Sequence, residues 1–165
     1  PALEVLAEVL AGGRLSRLNQ TLVRDGQVAA LVWARTSEPA QNGGGLFVIG
    51  LLPRGPHTPE EALAALDRSL ESVQRGGIPP ADLERAKTRA LGGRYRTMQN
   101  PGPLADALAR AAVRGGWRWW AGQTDRISRV TADDVRQAAA TYLITARRVV
   151  GMVEGTAGAP PPADE

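Results

Sequence analysis

Two short apolar runs, Val28–Ala34 and Leu46–Leu52, stand in a chain whose other hydrophobic residues recur at helical spacing. Each is shorter than a buried helix needs to be, and Val32, Trp33, Phe47, Val48 and Ile49 are residue types that fit a pleated surface, so both runs are predicted strands. The connector Ser37–Gly45 is rich in Gly, Pro and Asn, which predicts an exposed loop joining antiparallel neighbours. Its three glycines, Gly43 to Gly45, do not read as a phosphate loop, because no Gly-Lys-Ser/Thr follows and a strand comes next.

Helices are predicted on either side of this pair. Leu3, Leu6, Val9 and Leu10 share one face of an opening helix, and Ala11-Gly12-Gly13 supplies its left-handed stop. Ser16 opens a second short stretch, with Leu18 and Leu22 four apart, that runs out at Arg24-Asp25-Gly26. Thr58-Pro59-Glu60-Glu61 is a capping-box start for a helix whose stripe is Leu63, Leu66, Leu70 and Val73 and whose end is Gly76-Gly77. Pro79-Pro80 prepares a long helix beginning near Ala81, interrupted at Asn100-Pro101-Gly102-Pro103 and resumed through Leu104, Leu108 and Ala111. The cluster Trp117-Arg118-Trp119-Trp120 is expected to fill a gap between helices. Thr131 caps a last helix with Val135, Ala138, Ala139 and Leu143 inward. Arg147–Val153 reads as a closing strand, and Gly155–Glu165 as a mobile tail or linker.

This order implies an α+β fold, helices packed on one face of a mainly antiparallel sheet, in a single domain over 1–154 with a tail over 155–165. Three strands make a small sheet for so many helices, so an opening strand upstream of Pro1 is expected, in a longer parent chain.

Several chemistries are excluded by residue counts. The chain has no cysteine, which removes disulfides and thiolate sites, and His57 is its single histidine, too few for a protein zinc site or a hydrolytic triad. The net charge is +3, and nearly all the basic residues are arginines spread among acidic ones, Lys87 being the one lysine. That dispersion argues against a nucleic-acid surface. A nucleic-acid module built on the tryptophan cluster with Arg114 and Arg118 is an alternative that would show a steep salt dependence. No apolar stretch reaches membrane-spanning length and no signal peptide opens the chain.

Ordered motifs now make a pattern: Pro1-Ala2-Leu3-Glu4-Val5-Leu6-Ala7, Ser16-Arg17-Leu18, Leu22-Val23-Arg24-Asp25, Gly45-Leu46-Phe47-Val48-Ile49, Glu60-Glu61-Ala62-Leu63, Asp82 to Lys87, and Ile127 to Val135 before Tyr142-Leu143. Taken together along nearly the whole chain, they resemble the pitrilysin, insulinase and mitochondrial-processing-peptidase family, specifically its carboxy-terminal, inactive domain type. The resemblance implies paired α+β half-domains facing each other around unfolded peptide, with zinc held by a His-x-x-Glu-His motif in another domain. It implies no catalytic and no metal-binding residue here, and zinc only in the parent chain or a partner. In active members this domain type adds an arginine and a tyrosine that hold substrate. Arg24 matches the arginine, whereas the tyrosine position falls on Ala30, which has no hydroxyl to donate to an oxyanion. The expected partners are a missing N-terminal half-domain or a catalytic peptidase subunit, in a homo- or heterodimer, with peptide as the ligand. If the second face of the strands is exposed, that face is the expected interface. The compartment is not readable from these residues, and the bacterial periplasm is preferred only through the resemblance. The alternative parent is an active zinc endopeptidase with its metal motif upstream.

Overall fold

The computed structural model describes residues 1–37, 45–113 and 115–153. The elements are α1 (Ala2–Ala11), a π-helical segment Asn19–Asp25, β1 (Ala29–Thr36), β2 (Phe47–Pro53), α2 (Pro59–Gly76), α3 (Pro80–Met98), α4 (Pro101–Ala112), α5 (Gly116–Ala121), α6 (Gln123–Ser128), α7 (Ala132–Tyr142) and a 3₁₀ turn at Thr145–Arg147. Most of the connector 38–44, residue 114 and the tail 155–165 lie outside the described residues.

β1 and β2 pair antiparallel, with Leu31 opposite Leu52, Trp33 opposite Gly50 and Arg35 opposite Val48. A register irregularity between Ala29 and Leu31 turns the start of β1, so that Ala29 and Val32 both enter the core. Phe47, Ile49 and Leu51 pack on that same side. The fold class is therefore the expected one: helices on one face of an antiparallel sheet.

Helix α1 is the centre of the molecule. Its sequence stripe predicts one buried face, yet Val5, Leu6 and Leu10 are all fully buried, because α1 touches β1, α3 and α7 at once. Leu3, expected in the stripe, is only partly buried. The left-handed residue after α1 is Gly13, with φ of 104°, whereas Gly12 keeps φ of −75°. An ion pair from Arg89 to Glu8 (3.1 Å) ties α3 to α1. Gln74 in α2 donates from Nε2 to the carbonyls of Ala139 (3.3 Å) and Leu143 (2.8 Å), closing α2 onto the end of α7.

Both predicted caps form, each as a capping box. Thr58 Oγ1 accepts from the Glu61 amide while Glu61 Oε2 accepts from the Thr58 amide. Thr131 and Asp134 repeat the arrangement at α7. The break between α3 and α4 falls where the prolines place it, with Asn100 extended (φ −117°, ψ 114°) ahead of Pro101.

One expectation fails and one holds in part. Arg147–Val153 is not a strand: Arg147 ends the 3₁₀ turn, and Val149 and Val153 are 97% and 95% exposed. The run has strand-forming residues, but among the described residues no strand edge lies against it, and a strand exists only through the ladder it shares. An ion pair from Arg148 to Asp67 of α2 holds the run to the helix layer. The α5 tryptophans divide: Trp119 and Trp120 are half-buried where α5 packs on α4, as a gap filler between helices would be, while Trp117 is 57% exposed.

Candidate functional site

The side of the sheet turned away from the helices carries Leu31, Trp33 and Arg35 from β1, set against Leu52, Gly50 and Val48 from β2. Strand alternation puts these residues on one surface and Val32, Ala34, Ile49 and Leu51 on the other. Leu31 is 54% exposed, Leu52 58% and Trp33 38%, so among the described residues no layer covers this apolar face. Trp33 lies directly over Gly50: a Cβ on that glycine would meet the indole at 2.3 Å. The missing side chain thus seats the ring against the backbone of the neighbouring strand. The Arg35 guanidinium sits 4.9 Å from the indole centroid, a cation–π contact at one end of the face.

Arg24 and Ala30, paired by the motif match, sit on different elements separated by a turn in which Gln27 has φ of 50°. The Arg24 side chain is exposed at the end of the π-helical segment, with its Nε 2.7 Å from Asp25 Oδ1. That hydrogen bond holds the Asp25 carboxyl below its usual range. Ala30 is an exposed methyl beside the strand irregularity.

His57 Nδ1 lies 3.0 Å from Glu61 Oε2, and this hydrogen bond is the main reason the Glu61 carboxyl titrates low. Among the described residues no three of His, Cys, Asp and Glu gather in a group that would hold a metal ion. The pair at His57 therefore does not fit zinc, which needs at least three convergent protein ligands. Among the described residues, too, no helix is long and apolar enough to cross a membrane.

The tryptophan helix borders a cleft of about 250 Å³ lined by Thr97, Pro103, Asp106, Ala107, Trp119 and Trp120. Arg94 stacks 4.7 Å from the Trp120 centroid and donates to the Trp120 carbonyl, while Arg118 stacks 4.7 Å from Trp117. Guanidinium groups thus already occupy a face of the Trp117 and Trp120 indoles. Arg114, which the sequence placed in this cluster, lies outside the described residues.

Sequence reasoning flagged the second face of the strands but not the Trp33–Gly50–Arg35 stack. The signal was present as a glycine in the middle of an apolar strand, which marks a close approach. Its partner could be found only from the register.

The described residues form an α+β layer of helices on one face of an antiparallel pair of strands. A family profile described as "Peptidase M16 inactive domain" matches residues 1–90. The chain belongs to the peptidase M16 family, as its inactive domain type. It is 31% identical to a putative zinc protease from Bordetella pertussis Tohama I, over 90% of this chain and 81% of that one, with a TM-score of 0.75. It is 29% identical to the inactive peptidase domain of a putative zinc protease from Bordetella parapertussis, over 96% and 85% of the two chains, with a TM-score of 0.83. A protease from Helicobacter pylori, 18% identical over 88% of this chain and 35% of that one, shares the fold with a TM-score of 0.79. No curated protein matches the sequence.

Proposed function

We propose that this chain is the non-catalytic domain of a zinc-peptidase assembly, helping to form a peptide-holding chamber or a subunit contact with the open face of its sheet. The carrying observation is that face: Leu31, Trp33 and Leu52 remain exposed together on the side opposite the helices. Soluble domains rarely leave a contiguous apolar patch without a use for it. The relatives described as zinc proteases support placing zinc in another domain or a partner subunit. On this reading Arg24 is the residue that would hold substrate, its guanidinium exposed beside Asp25, with Ala30 supplying no hydrogen bond. The periplasm is the compartment we prefer, by resemblance.

The test is zinc content together with peptide hydrolysis, measured on the complete protein that carries this domain, alone and mixed with a zinc-bearing family member. Leu52→Asp is expected to cut hydrolysis several-fold at unchanged zinc content, since it puts a charge on the contact face. Stoichiometric zinc bound by residues 1–165 alone, or hydrolysis indifferent to the aspartate, would overturn the proposal.

A further inference from the structure

The open sheet face has a charge pattern as well as an apolar centre. Arg35 stands at one end, opposite Val48, and Arg54 stands at the other, its amide bonded to the Val28 carbonyl. Arg54 follows Leu52 by two residues, the alternation that returns side chains to one face, and both arginines are exposed. Neither has a carboxylate partner among the described residues, and the strand positions between them on this face, Leu31, Trp33, Val48, Gly50 and Leu52, include no acid. Seven residue steps lead from Val28 to Arg35, about 23 Å at the rise of an extended chain.

Three half-exposed side chains present only a few hundred Å² of apolar surface. A stable subunit interface needs about 800 Å² from each partner. Of the two roles proposed for the face, its area favours holding one extended segment of peptide over contact with a folded subunit.

We infer that this face binds an extended peptide of about seven residues, apolar in its middle and carrying a carboxylate near each end. The apolar centre lies over Leu31, Leu52 and the Trp33 indole, and the carboxylates meet Arg35 and Arg54. The inference rests on the reading of this face as a peptide-chamber wall and adds the class of peptide it selects.

The experiment uses three labelled synthetic peptides with the same five aliphatic residues, flanked by glutamates, glutamines or lysines, and fluorescence polarisation with the 165-residue chain. The glutamate peptide is expected to bind about two- to thirtyfold tighter than the glutamine peptide, the span of two exposed ion pairs. That advantage shrinks as ionic strength rises. The double variant Arg35→Glu/Arg54→Glu, with circular dichroism to check the fold, is expected to reverse the order in favour of lysine. Equal binding of all three peptides overturns the charge selection while leaving the chamber-wall reading standing. A glutamate preference that survives the double variant overturns the assignment to Arg35 and Arg54. Failure of every peptide to bind overturns both the inference and the reading beneath it.

Discussion

Glu4 illustrates how position governs a charge. It lies on α1 where that helix meets its neighbours, and burial raises its carboxyl pKa, with Arg94 opposing the shift. A carboxyl whose folded pKa exceeds its unfolded one adds stability below the unfolded value, and the benefit is lost as pH rises through the folded value. Glu4→Gln is therefore expected to raise the melting temperature at neutral pH, with a gap that closes as the pH falls below the normal carboxylate range. A pH series of thermal melts on both proteins measures it, and a constant gap would sink the idea. Gly50 is a second case. A Cβ at 2.3 Å from the Trp33 ring must push the indole off its seat, so Gly50→Ala is expected to cost about 1 kcal/mol and to red-shift tryptophan emission. The Arg24 guanidinium, by contrast, is exposed and bonds to Asp25, its chain neighbour, and Arg24→Ala is expected to leave stability within about 0.5 kcal/mol.

Helix starts were read correctly because their determinants are local. Thr58, Pro59 and Glu61, and likewise Thr131 and Asp134, satisfy the first amides of their own helices within four residues of chain. Thr131→Ala is expected to cost about 1 kcal/mol in denaturant unfolding, with the slope unchanged. The Asp134 carboxyl is held low by its bonds from Thr131, first the backbone amide and then the hydroxyl. Its contribution is present above the usual aspartate pKa and is lost as pH falls through the depressed one. Helix α1 is the opposite case, since nothing in Pro1 to Ala11 announces that three elements surround it. Leu6→Ala, at a position with no solvent exposure, is expected to cost roughly 2–5 kcal/mol. The stretch Arg147–Val153 shows the limit of propensity. Its valines suit a strand, yet a ladder needs a second edge, and the local sequence does not say whether one is within reach.

For the molecule as a whole, an open sheet face separates stability from function. Leu31→Asp and Leu52→Asp replace exposed side chains, so each is expected to change unfolding free energy by less than about 0.5 kcal/mol while weakening contacts to peptide or partner. A large loss of stability in either would mean that the face is structural. Composition, with no cysteine and one histidine, was enough to exclude disulfides, thiolate chemistry and a His-x-x-Glu-His motif in this chain, because residue counts need no coordinates. Periodicity and caps were enough for the helix–strand order, and ordered motifs for the peptidase M16 resemblance, since each is written over short spans of sequence. Three features were settled only by tertiary packing: the burial of α1 on several sides, the stacking of Trp33 on Gly50 with Arg35 above, and the lack, among the described residues, of a strand partner for Arg148–Val153. Each depends on which distant segments meet, and pairwise contact across the fold leaves no periodic trace in any one segment.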